Sequence, residues 1–468
     1  MAYMVKPRDL APAVTSPVPV DTTLPRACVI GAGSSGLAAA KALYLAGVPF
    51  DCFEQGPVVG GNWVYENPNG QSACYETLEI NTSCPRMAFS DFPMPEDYPD
   101  YAMHHQVRDY FEAYVDHFGF RDTITFNTKV EAVTRSATGT WIVRTSGPAG
   151  LVVREYDAVL VANGHHWDAR WPEPAYPGEF GGEQMHAHDY RSADDLRGRH
   201  VVVVGMGNSA LDISVEAARV ARSSTISVRR GQWVLQKHLL GRPSDQVGLP
   251  SWMPWWVIRA KFELGAFLSG DVSKHGVPKP DHRPGQSHPV QSVRFRDLVK
   301  EGKITPRPAI DRLDRRTVHF ADGTESPADL IVWATGYRVT FPFLDRALVD
   351  PQDNDLPLWK RMVHPDLPGL WFIGLAQPVG AVMPIAEAQS QWAAEILTGR
   401  YALPDQAEVR SRTRADHQRN KRRFYESERH TMEVDFDRYL WDLGRERKRG
   451  ARRAQERRTA APAAGALR

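Results

Sequence analysis

The sequence predicts an α/β fold made of two Rossmann-like dinucleotide-binding domains, the second inserted within the first. Three observations predict it. Residues 31–36 read GAGSSG and residues 205–210 read GMGNSA, each after a short apolar run and at the start of a helical stretch. Between them lies FGGEQMHAHDY at 180–190, which ends fifteen residues ahead of the second turn. Two further apolar runs suited to buried parallel strands, at 329–334 and 370–373, come late enough to complete the first domain after the second has been inserted.

The first unit is justified residue by residue. Ala27–Ile30 enters Gly31 as a strand buried on both faces, 34–46 is an alanine-rich helix stopped by Gly47, and 49–53 is a second strand ending at Glu54. Gly31 allows the tight turn, Gly33 lets the backbone approach a pyrophosphate, and Gly36 lets helix and strand pack closely. The helix N-terminus turns free N–H groups and a positive dipole end toward the phosphates. Glu54 stands about 20 residues past the glycines, where an acid accepts a hydrogen bond from a ribose hydroxyl.

After a glycine-rich stretch at 60–63, residues 65–101 show few regular signals. Strands are expected at 124–126, 140–145, 151–155 and 158–162, and the proline-rich stretch 171–177 places a boundary near residue 170. The second unit runs through a strand at 200–204, a helix at 209–222 and a strand at 225–228. That strand ends at Arg229 and Arg230 instead of at an acid. Guanidinium groups suit a 2′-phosphate, so NADP(H) is expected in preference to NAD. Residues 231–300 are the least regular. Trp233, Trp252, Trp255 and Trp256 are expected to pack in a core, and a helix is expected at 292–301. Another helix follows from Met383 to Leu397. The expected division is a loose arm at 1–24, the first domain at 25–170 and 327–445, the second at 171–326, and a basic, disordered tail at 446–468.

Composition narrows the function. The chain has 468 residues, with 57 basic against 56 acidic side chains, and the resulting net charge of +1 gives no reason to expect nucleic acid or an anionic membrane as partner. No window approaches the roughly 18–20 apolar residues of a membrane span, so a soluble, cytoplasmic protein is expected. Cys28, Cys52, Cys74 and Cys84 include no C-x-x-C, which argues against a disulfide reductase. The pairs His104–His105 and His165–His166 have no third ligand at useful spacing, and no metal site is expected.

Phe180, Gly182, His186 and Tyr190 follow the pattern F-x-G-x-x-x-H-x-x-x-Y. Together with GAGSSG and Glu54, GGNW at 60–63, INTSCPRMAFSDFPMP at 80–95, ANGHH at 162–166, ATGY at 334–337 and FIGLAQPVGAVMP at 372–384, they make the chain from about residue 25 to 445 resemble the class B flavin-containing monooxygenases, soluble microbial type. The resemblance implies FAD at the first turn and NADPH at the second. Their contacts would come from Gly31, Gly33, Ser34, Ser35, Gly36, Glu54, Gln55, Gly61, Asn62, Trp63, Asn81, Thr82, Val130, Gly205, Gly207, Asn208, Ser209, Ala210, Arg229, Arg230, Ala334, Thr335, Gly336 and Gln377. It further implies that NADPH reduces FAD, that dioxygen adds to give a C4a-hydroperoxyflavin, and that an amine nitrogen or sulfide sulfur takes one oxygen, with Asn81 beside the flavin as the catalytic residue. The protein's part is to keep water from the adduct. His186 is expected to couple domains and not to act as a base. One feature departs from the pattern: Cys84, followed by Pro85, stands where such proteins often carry lysine. Tyr190 keeps to the pattern and stands where the sister Baeyer–Villiger group usually has tryptophan, which puts that group second. Ketone oxygenation and weakly coupled NADPH oxidation stay open as alternatives, and a homodimer would be unsurprising.

Overall fold

The computed structural model describes residues 9–460, apart from 240, 247–252, 254, 288 and 425–430. Two five-stranded parallel sheets carry the molecule. In the first, the order is Leu370–Phe372, Ala158–Val161, Ala27–Ile30, Phe50–Phe53 and Ile124–Thr125. In the second it is Glu183–His186, Leu330–Trp333, His200–Val204, Ser223–Ser227 and Ile304–Arg307. The apolar runs of the sequence are these strands. Ala27–Ile30, Ala158–Val161 and Leu330–Trp333 are buried at every position, because helices and loops cover both faces of a parallel sheet.

Each glycine turn feeds a helix, Ser34–Leu45 in the first unit and Asn208–Val220 in the second. Helix Met383–Leu397 packs along Ser34–Leu45, and Ser35 fits against Gly374, where a side chain would lie 2.0 Å from its Oγ. A three-stranded antiparallel meander, Lys129–Arg135, Trp141–Gly147 and Gly150–Tyr156, extends the first unit.

Several expectations are corrected. The run at 329–334 does not complete the first sheet. Leu330–Trp333 lies between Glu183–His186 and His200–Val204, so the second unit's strands extend past the expected boundary at 327. The stretch at 180–190 is more than a linker, since Gly178–Phe180 joins a four-stranded small sheet and Glu183–His186 is the edge strand of the second parallel sheet. Gly182 is needed between them: a Cβ there would lie 2.7 Å from both the Asp329 carbonyl oxygen and the Phe180 ring.

The arm is not loose over its described part. Ala11 donates to the Asp91 carbonyl, Val14 to that of His117, and Asp21 to that of Gly47. Nor is the basic tail disordered where it is described. Phe436–Ala460 is one helix that buries Glu446, Gly450 and Ala454 at four-residue spacing, with Gly450 against the Tyr401 ring. Arg412 and Arg453 both pair with the Glu446 carboxylate. Residues 1–8 and 461–468 lie outside the described residues.

The helix expected at 292–301 is shorter, Phe295–Lys300. Trp233 is half-buried and donates to the His282 carbonyl, 2.9 Å, but Trp256 is 68% exposed and packs in no core. Trp252 and the Trp255 side chain lie outside the described residues. His104 and His105 open helix His104–Phe118, which the reading of the sequence did not anticipate. Among the described residues no group of three metal-ligating side chains forms, and no helix is long and apolar enough to cross a membrane.

Candidate active site

The first turn is set by steric necessity. Gly31 has φ +101°, and a Cβ there would meet the Ala162 carbonyl oxygen at 2.7 Å. A Cβ on Gly36 would fall 1.7 Å from the Gly31 carbonyl oxygen, so helix and strand can approach only through glycine. Ser34, Ser35 and Gly36 stand at the helix start, where N–H groups have no partner within the helix, and its first turn holds no acid to repel a phosphate. Glu54 is buried behind the turn. Its Oε2 accepts from the Ala32 N–H at 2.7 Å and its Oε1 from the Gly56 N–H at 2.6 Å. Burial raises its carboxyl pKa while these donors oppose the rise. A carboxylate has lone pairs to spare for a ribose hydroxyl as well.

The GGNW segment closes over this turn. Gly60 donates to the Ala32 carbonyl at 3.0 Å, and a Cβ on Gly61 would come within 3.0 Å of the Gly33 Cα. Asn62 turns its Oδ1 to the Ala73 N–H, 2.9 Å, which ties the segment to the chain leading to Tyr75. Trp63 and Gln55 are half-buried beside it. Val130 is buried in the meander, in the apolar cluster that includes Ile30 and Phe53. Gln377 begins the short strand Gln377–Val379, whose partner is Glu433–Asp435.

The second turn repeats the logic. Gly205 has φ +129°, and its Cβ would be 2.4 Å from the Ala334 carbonyl oxygen. Gly207 caps helix Asn208–Val220, with Ser209 and Ala210 in the first turn. The Asn208 Oδ1 accepts from the Gln291 N–H, 3.0 Å, so that side chain also anchors the chain before helix Phe295–Lys300. Arg229 and Arg230 are both exposed just past Ser223–Ser227. Neither makes an ion pair or side-chain hydrogen bond among the described residues, which leaves two guanidinium groups available at the position where a dinucleotide's second ribose is read. Ala334, Thr335 and Gly336 form the crossover, and Gly336 accepts from the Arg170 N–H at 3.0 Å.

Residues 75–84 bridge the two turns. The Tyr75 hydroxyl donates to Asp212 Oδ2 at 2.6 Å, while Thr77 and Tyr190 donate to the two oxygens of Glu216. Asp212 and Glu216 are four apart on one face of helix Asn208–Val220, so this helix grips both the bridge and the 180–190 stretch. Burial pushes the Asp212 carboxyl up to about 6. Asn81 is half-buried and Thr82 buried, and the Asn81 side chain makes no hydrogen bond among the described residues. Cys84 turns its thiol to the Pro99 carbonyl, 3.1 Å. The sequence reading did not single out Tyr75, Asp212 or Glu216. Two acids four apart within a helix whose buried face is mostly apolar were the available signal.

His186 ends the edge strand and is 0% exposed. Its Nδ1 accepts from the His188 N–H at 3.0 Å, and the Tyr337 and Trp171 rings pack beside it. Burial lowers its pKa to about 4, with the His188 charge adding to the effect. The unfolded value is about 6.5, so the unfolded chain binds the extra proton between these limits and stability falls as pH drops from 6.5 toward 4. His186→Asn keeps an acceptor for His188 without titrating. Thermal or urea unfolding from pH 7 to 4.5 should therefore show a loss smaller by about 2 kcal/mol in the variant. Equal losses would mean that His186 does not stay neutral in the fold.

The chain matches the family described as flavin-binding monooxygenase-like over residues 25–448. It is 34% identical over 439 residues to flavin-containing monooxygenase 5 of Cavia porcellus, covering 88% of this chain and 81% of that one. With dimethylaniline monooxygenase [N-oxide-forming] 2 of Oryctolagus cuniculus it shares 31% identity over 440 residues, 90% of this chain and 82% of the other. Its fold is similar to the S-allyl-L-cysteine S-oxygenase of Allium sativum, with a TM-score of 0.68, 26% identity and 94% of each chain covered. It is similar also to an open cyclohexanone monooxygenase, with a TM-score of 0.69, 17% identity, 92% of this chain and 98% of that one. Two glycine turns built for dinucleotides, the chain that bridges them, and this identity along nearly the whole length place the protein in the flavin-containing monooxygenase family, as an FAD-dependent monooxygenase.

Proposed function

We propose that the protein uses NADPH and dioxygen to place one oxygen atom on a soft nucleophile of a small molecule, an amine nitrogen or a sulfide sulfur, the other oxygen leaving as water. The observation that carries this reading is the segment 75–83, which is tied to the second unit by Tyr75 at Asp212, Thr77 at Glu216 and Ser83 at Asp245, and which carries Asn81, whose amide makes no hydrogen bond among the described residues. When bound, FAD supplies the two-electron chemistry and the activation of dioxygen. The chain's residues bind, orient and shelter. The N–H groups opening Ser34–Leu45 and Asn208–Val220 receive the pyrophosphates, Glu54 receives a ribose hydroxyl, and Arg229 and Arg230 receive the 2′-phosphate. The Asn81 amide offers a donor and an acceptor from a half-buried position. All four cysteines are free and buried, and burial raises each thiol pKa, so the chain presents no thiolate for a disulfide-exchange mechanism.

Relatives named for N-oxide formation and S-oxygenation support nitrogen or sulfur as the acceptor. Mixing NADPH-reduced protein with aerated buffer in a stopped-flow instrument tests this. We expect a persistent near-ultraviolet absorbance that decays faster with added thioether or tertiary amine. Acceleration by a ketone alone would shift the assignment to Baeyer–Villiger oxygenation. Direct return of the oxidised flavin spectrum would make the protein an NADPH oxidase or reductase.

A further inference from the structure

The geometry points to Lys237 and Asp245 as positioning residues that set the placement of Asn81 from the other nucleotide-binding unit. The inference rests on the proposed role of Asn81 in the site.

The turn Glu79–Ser83 is held on one side by its own unit. Ile80 donates to the Ala102 carbonyl at 3.0 Å and Cys84 to that of Asp100 at 2.8 Å. On the other side it meets the chain that follows the second unit's specificity arginines. The Lys237 ammonium, only 5% exposed, donates to the Ile80 carbonyl at 3.0 Å and to Glu79 Oε1 at 2.6 Å. Asp245 Oδ2 accepts from the Ser83 N–H at 2.7 Å and from its hydroxyl at 3.0 Å. Cation and anion thus fasten the backbone one residue before Asn81 and two residues after it.

The attachment is itself braced. Tyr101, from the first unit, donates to the Lys237 carbonyl at 2.6 Å and lies 4.9 Å under the ammonium. Ser244 donates to that same carbonyl at 2.8 Å, tying the Lys237 and Asp245 ends together, and His238 faces Asp100 at 2.9 Å. Burying an ammonium is costly, and an apolar side chain of similar length would fill this space without that desolvation. A lysine here fixes a carbonyl direction that packing alone would leave free. The Asn81 side chain makes no hydrogen bond among the described residues, so its aim follows the backbone on either side.

The test uses the FAD-loaded full chain carrying Lys237→Met, Asp245→Asn, Asn81→Ala and the two pairings with Asn81→Ala. Hydrogen exchange of the 80–84 amides reads the turn directly. The fraction of NADPH electrons ending as hydrogen peroxide reads its consequence. Lys237→Met should speed exchange at 81–83 about tenfold and raise the peroxide fraction several-fold, with the KM for NADPH changed less than about twofold. Lys237→Arg should recover most of the coupling. In the Asn81→Ala background Lys237→Met should add less than about a twofold change, because both act on one group.

Unchanged exchange, or independent multiplication of the two effects, overturns the proposal. Asn81→Ala with normal coupling would overturn the reading of Asn81 instead, and exchange at 81–83 would then decide the positioning role by itself. If Lys237→Met fails to retain FAD, Asp245→Asn carries the same comparison: faster exchange of the Ser83 amide with raised peroxide supports the clamp, and no change in either removes it.

Discussion

Gly36→Ala is expected to yield protein that neither retains flavin nor unfolds at the wild-type temperature. The added methyl would lie 1.7 Å from the Gly31 carbonyl oxygen and 2.7 Å from its carbon, both backbone atoms of the turn. No rotamer relieves such a contact, so helix Ser34–Leu45 or the strand before it must move by more than an ångström. Helix Met383–Leu397 and the Ser35–Gly374 fit resist that movement. A loss beyond about 4 kcal/mol belongs to the rare overpacking class that shifts backbone. Gly33→Ala is the contrasting case. Gly33 has φ −75°, and its Cβ would keep 3.6 Å from Gly61 Cα, an ordinary contact. That variant should fold with a melting temperature within a few degrees of wild type and still bind FAD weakly, because its methyl occupies the space a pyrophosphate needs. Flavin content from absorbance and a melting curve settle both. A stable, fully flavinated Gly36→Ala protein would mean that the turn does not have this geometry.

The same contrast explains what could be read beforehand. Gly31, Gly36 and Gly205 were legible because their constraint is local: strand, turn and helix lie within a dozen residues, and backbone contact excludes every side chain but hydrogen. Leu330–Trp333 was legible as a strand and not as a member of its sheet, since an apolar run buried on both faces looks the same in either unit. Pairing to Glu183–His186 joins residues some 150 apart, and nothing in the alternation records it. Helix His104–Phe118 had a usable signal in Val107, Tyr110, Phe111, Tyr114, Val115 and Phe118, which recur at helical spacing. In the basic C-terminal helix, charge concealed a narrow seam of small residues. Gly450 fits against Tyr401 and Ala454 is buried one turn on, while the arginines around them reach Glu446 and Glu395. Of the site, the residues proposed to hold nucleotides stand at motif positions that the sequence displays. Asp212, Glu216, Lys237 and Asp245 do not, and their meaning comes from the partner each meets across the interface.

Arg229→Ser with Arg230→Ser is expected to lower kcat/KM for NADPH by roughly 100-fold or more while leaving NADH within about threefold. A guanidinium on a phosphate contributes about 1.5–3 kcal/mol through charge-assisted hydrogen bonds, and each 1.4 kcal/mol is a factor of ten. The position follows from the fold: strand Ser223–Ser227 lies next to His200–Val204, whose end makes the turn at Gly205, so residues just past it reach the ribose of a nucleotide seated there. Both side chains are exposed and make no ion pair or side-chain hydrogen bond among the described residues, so their removal should cost the fold within about 0.5 kcal/mol. This separates binding from stability with one pair of substitutions. The wild-type KM for NADPH should also rise with ionic strength more steeply than that for NADH, and the double variant should lose this difference. The rival account makes the two arginines a solvated strand edge. It requires unchanged kinetics with both nucleotides, and an equal loss with both would show a general disturbance of the turn. Selective loss of NADPH, with an unchanged melting temperature, is the outcome that assigns the second turn its cofactor.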